Sequence, residues 1–196
     1  MLGWFKKKKQ EEPQASPAQK AHPMLELALE QMDIKEDDVA LHIGFGWDLE
    51  LLIRLAVFLD KGRLAGIESD QRALDRAMKI FAEEFSTFKA DFRNAVVSKM
   101  PFYDGSFTKV VSLDRMHTWV NLDKAFDEIH RVLAHGGVFV LVWGVPLDHD
   151  TLVEGRRIIS SEEVAKFLKG AGFYHPEPRE RTVGDMKYYQ LTSRKL

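Results

Sequence analysis

The segment His42-Ile43-Gly44-Phe45-Gly46-Trp47-Asp48 joins an apolar run to an amphipathic stretch, and it is the first place in the chain where chemistry is legible. Glycines at 44 and 46 let the backbone pass close to a ligand and take dihedrals that a β-carbon forbids. The helix expected after them offers free N–H groups to an anionic or polar group. Further on, Gly66-Ile67-Glu68 ends a second apolar run. A carboxylate at such a strand end can accept hydrogen bonds from both hydroxyls of a ribose, the plain alternative being a solvated acid. Asp91 and Phe92 follow a third short run. That carboxylate can accept from the exocyclic amine of an adenine, and the ring can supply apolar contact. These pieces describe a site for a nucleotide-like ligand. A lone G-x-G is weak; its position between a strand and a helix gives it weight.

The elements that must hold these residues alternate in period. Pro23 to Met32 reads as an amphipathic helix with proline in its first turn. Val39 to Ile43 is a continuous apolar run, as expected of a strand buried on both faces. A helix follows from Asp48 to near Gly62, then a strand over Arg63–Ile67 and a helix over Asp70–Phe85. Further strands are expected over Thr87–Ala90 and Lys109–Leu113. A helix over Asn121–Leu133 should stop at Gly136-Gly137, with a strand over Val138–Trp143. Ser160 and Ser161 open a last helix with a capping serine. Phe173–Glu177 and Met186–Thr192 have no helix between them and should pair antiparallel. Residues 144–159 have no clear period and are expected to form a loop beside the site. The fold class is α/β, doubly wound, with a mostly parallel sheet made mixed by its C-terminal strands. In such sheets ligands lie beyond the carboxyl ends of the strands, near the switch point.

From about Val39 to Val142 the order of motifs resembles a class I S-adenosylmethionine-dependent methyltransferase of the small-molecule, ubiquinone-biosynthesis type. The resemblance rests on the glycine turn, Gly66-Ile67-Glu68 and Ala90-Asp91. It rests equally on Met100-Pro101-Phe102-Tyr103-Asp104-Gly105-Ser106-Phe107 and on the segment from Glu128 to Gly137. It implies a seven-stranded Rossmann-like sheet, an S-adenosylmethionine cofactor and a small-molecule substrate. Gly44 and Gly46 would line the methionine part of the cofactor, Glu68 the ribose, and Asp91 with Phe92 the adenine. Ser112 to His117 would flank the reactive methyl, which makes Asp114 and His117 the catalytic candidates. Trp119 and Trp143 are candidates for an apolar substrate wall.

Three positions depart from the family pattern. His42 stands where an acid usually precedes the first glycine, Asp48 where a third glycine is usual, and Thr108 where an acid follows Phe107. A methyltransferase-like binding or scaffold domain without catalysis is therefore the rival reading. A nicotinamide enzyme is disfavoured by Leu49 at the place of the last small residue of G-x-G-x-x-G.

Bulk properties narrow the classes further. The 196 residues suit one domain, residues 22–196, after a polar, basic tail over 1–21. That tail carries five lysines against two glutamates and reads as disordered. Membrane contact through Trp4, Phe5 and the lysines is the weaker reading. The absence of cysteine excludes disulfides and thiolate chemistry and fits the cytoplasm. A net charge of −2 gives no reason to expect nucleic-acid binding. The histidines show no spacing that converges on a metal.

Overall fold

The computed structural model describes residues 22–46, 48–146, 152–153, 156–157 and 160–196. The basic tail over 1–21, Trp47 and most of the aperiodic 144–159 segment lie outside them. Seven strands form one sheet in the order β3-β2-β1-β4-β5-β9-β8. These are β1 (Val39–Ile43), β2 (Arg63–Glu68), β3 (Ala90–Asn94), β4 (Phe107–Leu113), β5 (Leu133–Pro146), β8 (Tyr174–Val183) and β9 (Met186–Arg194). The five N-terminal strands of the sheet are parallel; β9 runs antiparallel to both β5 and β8. A separate two-stranded ribbon pairs β6 (Leu152–Val153) with β7 (Arg156–Arg157).

The inner strands alternate between two cores, and this fixes which side chains reach which helices. One face carries α1 (Pro23–Met32), α2 (Glu50–Phe58) and α3 (Gln71–Ile80), packed on Ala40, Leu64, Val111, Val140 and Val142. The other carries α5 (Leu122–Val132) and α6 (Ser161–Gly170), packed on Leu41, Ile43, Val110, Phe139 and Leu141. Polar side chains start three of these helices. Asp70 accepts from the N–H groups of Arg72 and Ala73, Asn121 from Lys124 and Ser160 from Glu163.

Three boundaries differ from the sequence reading. The helix expected over Asp70–Phe85 divides at Phe81 into α3 and the short α4 (Ala82–Ser86), because Phe81 turns inward to meet Phe92 edge-on at 5.2 Å. The third strand begins at Ala90 rather than Thr87. Phe88 takes the left-handed φ of 57°, so pairing with β2 starts only beyond it. It is an edge strand in which Asp91 is half-buried and Arg93 and Asn94 are exposed, and this polar content hides it in the sequence. Finally, Gly136 and Gly137 lie within β5 and do not end a helix. Gly136 takes φ 76° where the register against β4 shifts.

Candidate functional site

Strand order reverses between β1 and β4: β2 and β3 lie to one side, β5 to the other. Crevices form at such a point beyond the carboxyl ends of the strands. Two cavities open there. The first, of about 420 Å³, is lined by Gly44, Gly46, Glu68, Asp70, the Ala95–Ser98 loop and the segment from Thr118 to Asn121. The second, of about 350 Å³, is lined by His22, His42, Gly44, Asp48, Asp114 and His117, with apolar walls from Met24, Leu25 and Leu113. Arg115 lines both.

The turn after β1 is built for close approach. Gly44 and Gly46 take φ of 67° and 58°, where L side chains are strained. Gly44 N–H donates to Ile67 O at 2.8 Å, which ties the turn to β2. Glu68, at the end of β2 and buried, holds the turn from the other side. Its Oε2 accepts from Gly46 N–H at 2.7 Å, and its Oε1 accepts from the N–H groups of Ser69 and Asp70 at 2.8 and 2.9 Å. Ser69 Oγ adds a long bond to Oε1 at 3.4 Å, so Oε1 is filled, whereas Oε2, with two acceptor directions and one donor, keeps one for a ligand hydroxyl.

Arg115 follows Asp114 beyond the end of β4 and lies across the glycine turn. Its Nε donates to Gly44 O at 3.1 Å. A β-carbon placed on Gly46 would stand 1.7 Å from Arg115 Nη2, and one on Gly44 would stand 2.9 Å from Arg115 Cγ. The guanidinium therefore occupies the space that the two glycines keep open. Asp114 itself has a left-handed φ of 51°, which aspartate tolerates better than most residues. Burial pushes its carboxyl above the usual range, opposed by a hydrogen bond from Gly144 N–H and by the charges of His117 and Arg115.

His42 is 2 % exposed and projects from β1 into the second cavity. Among the described residues neither ring nitrogen has a hydrogen-bond partner. Desolvation, aided by the Arg115 charge, lowers its pKa to about 3, so the imidazole is neutral at pH 7.

The candidates named from sequence thus separate. Gly44, Gly46 and Glu68 meet at the first cavity; Asp114 and His117 meet at the second. Asp91 and Phe92 lie away from both. The strand runs on to Asn94, so Asp91 sits mid-strand, bound to Arg93 through both carboxylate oxygens. Phe92 is buried among Phe45, Phe81 and Phe85 under α3. The residues that do reach the cavity from this strand are Ala95 to Ser98. Trp119 lines the first cavity, whereas Trp143 stacks on Tyr189 in the core. Thr108 stands at the opposite end of β4. It donates to Asp38 Oδ1 at 2.6 Å and accepts from Val39 N–H at 3.0 Å, so its departure from the family pattern is structural. Asp48 accepts from Glu50 N–H at 3.0 Å before the start of α2. Arg115 lies within the Ser112–His117 segment expected to flank the reactive methyl, but its position over the glycine turn was not foreseen from the sequence.

The sequence profile of the methyltransferase domain family matches residues 41–141, more than half of the chain. The chain belongs to this family. The family's methyl donor is S-adenosylmethionine. No curated protein matches the domain by sequence. Solved structures match it in fold. A [4+2]-cyclase, SpnF, superposes with TM-score 0.75 at 20% identity, over 95% of this chain and 85% of the other. An S-adenosylmethionine-dependent methyltransferase from Aquifex aeolicus gives 0.72 at 18% identity, over 88% and 89%. Geranyl diphosphate C-methyltransferase from Streptomyces coelicolor A3(2), solved with Mg2+, geranyl diphosphate and S-adenosyl-L-homocysteine, gives 0.72 at 14% identity, over 89% and 79%. Among the described residues of the methyltransferase domain no acidic or histidine cluster suits a metal ion, and no helix is long and apolar enough to cross a membrane.

The residues fit the ribose of the cofactor through the buried Glu68 carboxylate at the end of β2, which borders the first cavity beside the glycine turn. The rest of the cofactor meets Arg115, whose side chain lies over the same turn.

Proposed function

We propose that this methyltransferase domain moves a methyl group from S-adenosylmethionine to a small-molecule acceptor. The observation that carries the reading is the cleft at the β1/β4 switch point, where two left-handed glycines and the buried Glu68 carboxylate border one cavity. Glu68 would take the ribose through its remaining acceptor direction. Gly44 and Gly46 would pass beside the sulfur-bearing chain. The Ala95–Ser98 loop, in place of Asp91 and Phe92, would border the base.

When bound, the cofactor supplies an electrophilic methyl group. The protein's task is then orientation, since an in-line displacement gains most from proximity and alignment. Asp114 and His117 border the second cavity, where the acceptor would lie. Asp114, with its raised pKa and left-handed backbone, is the better candidate for taking a proton from the acceptor. His117 would assist from the edge. Trp119 would wall the first cavity.

A methyltransferase-like domain that binds without transfer is the second reading. It is favoured by Arg115 over the glycine turn and by Asp48 where the third glycine is usual.

Incubating the full chain with methyl-labelled S-adenosylmethionine and a metabolite extract tests the first reading. Label should pass into the small-molecule fraction, at a rate well above that of buffer, and fall at least tenfold in Asp114→Asn. Label only in protein or RNA, or none anywhere, would contradict it.

A further inference from the structure

The chain carries a second feature that the cleft does not use. Trp4 and Phe5 stand directly before four consecutive lysines, Lys6 to Lys9. Over residues 1–21 five lysines stand against two glutamates, a net of +3, which leaves the rest of the chain at −5. Aromatic side chains followed by a polybasic run suit the interface of an anionic bilayer, where each lysine near the surface strengthens binding about fivefold. One such segment alone is a marginal anchor, because stable contact takes two signals.

The fold supplies the second signal on one side of the molecule. The segment enters the domain at His22, which borders the second cavity just before α1. It therefore joins the domain at the carboxyl ends of the parallel strands, where both cavities open. Apolar side chains stand exposed around the same end. Val96 follows β3 and Val120 follows β4; both border the first cavity, and Val120 is fully exposed. Val183 is exposed as well, beside the β8–β9 turn. It pairs with Met186, which pairs with Pro146 at the end of β5. A single exposed valine is ordinary. Three spread from β3 to β5, on the side that the basic segment enters, give the open end of the sheet an apolar rim. Twelve residues lie between Lys9 and His22, a reach of at most about 45 Å, so the lysines can touch a surface on which this rim rests.

We propose that the face carrying both cavities docks on an anionic lipid bilayer. Trp4 and Phe5 enter the interface, Lys6 to Lys9 meet the headgroups, and Val96, Val120 and Val183 rest on the outer acyl region. The charge of −5 on the rest of the chain opposes an anionic surface, so the attraction lies in the four lysines and weakens as salt screens them. Docking does not depend on methyl transfer, and its test contains no cofactor.

Flotation of the full chain with phosphatidylcholine vesicles, with and without about one third phosphatidylserine, tests the contact. At low salt the anionic vesicles should bind at least tenfold more protein than the neutral ones, and high salt should remove most of that difference. Combining Lys6→Glu, Lys7→Glu, Lys8→Glu and Lys9→Glu should cost at least tenfold. The chain has no cysteine, so Val120→Cys, Val183→Cys and Phe58→Cys each create one attachment point for an environment-sensitive fluorophore. Phe58 is the control: it is also exposed, but at the far end of α2, shortly before β2 starts at Arg63. Thermal unfolding verifies that every variant is folded. On anionic vesicles the probes at positions 120 and 183 should shift to the blue, and the probe at 58 should not. No preference for anionic vesicles, or undiminished binding by the glutamate variant, would overturn the proposal. Vesicle binding without a shift at 120 or 183 would overturn it too, because the segment would then act without the face. A shift at 58 alone would place the contact on the side of the domain and overturn it in the same way. Binding to duplex DNA or transfer RNA, with none to vesicles, would overturn it by giving the lysines to nucleic acid.

Discussion

His42→Leu should lose much of the protein's sensitivity to mild acid. The imidazole is buried and neutral with a pKa of about 3, against 6.5 for an exposed histidine. Below pH 6.5 the unfolded chain therefore takes up a proton that the folded chain refuses. Stability is full above the unfolded value and falls as pH drops toward the folded one, at about 1.4 kcal/mol per pH unit. Between pH 7.5 and pH 5.0 this amounts to about 2 kcal/mol, in a window where most carboxylates remain ionised. Leucine has no such proton to take up and no orphaned ring nitrogens, so the variant should be at least as stable at pH 7.5. Urea unfolding of both proteins at the two pH values measures the difference. Parallel losses in wild type and variant would show that His42 is solvated or partnered in solution.

Arg131→Met should give the largest loss of stability at neutral pH. The guanidinium donates to five acceptors on four residues: both oxygens of Glu128 at 2.7 Å, Asp104 Oδ1 at 2.7 Å, Phe102 O at 2.8 Å and Met100 O at 3.2 Å. Glu128 in turn accepts from Met100 N–H at 2.7 Å. One helix residue thus pins the whole 100–104 segment ahead of β4. Hydrogen bonding from Arg131 raises its own pKa further and holds the Glu128 carboxyl below its usual range. Breaking a fully buried pair costs about 3–5 kcal/mol. The Arg131 side chain is 31% exposed, so about 2–3 kcal/mol is the expected cost after allowance for screening. Chemical unfolding at pH 7 should show it as a shift in midpoint with little change in slope. A loss below 0.5 kcal/mol would place this network among ordinary surface ion pairs.

How far the fold was readable follows from how each element is buried. β1 and β4 lie between two helical layers, so their apolar runs stand out and the strand ends are placed correctly to within two residues. The glycine turn follows from the end of β1, and Glu68 from the end of β2, also buried along most of its length. The bounds of β3 were misplaced because it lies at an edge: Asp91, Arg93 and Asn94 are polar, and the buried Ala90 and Phe92 alone carry the signal. With the strand running on to Asn94, Asp91 and Phe92 lie away from the cavity and the Ala95–Ser98 loop borders it. The place of Arg115 over the glycine turn was invisible for a different reason. Its importance comes from a contact with the turn 71 residues earlier, and no local spacing encodes it. Thr108 illustrates the reverse error, in which a residue that differs from a family pattern serves only to hold Asp38 and the start of β1.

The central claim is that the cleft beyond β1, β2 and β4 receives the adenosyl end of S-adenosylmethionine against Glu68. Calorimetric titration of the wild-type chain and of Glu68→Gln with S-adenosylhomocysteine tests it most directly. Wild type should show one site, and the variant an affinity lower by about 1–3 kcal/mol, through the weakened ribose hydrogen bond. Absence of binding to a folded wild-type chain, or equal affinity in the two proteins, would contradict it.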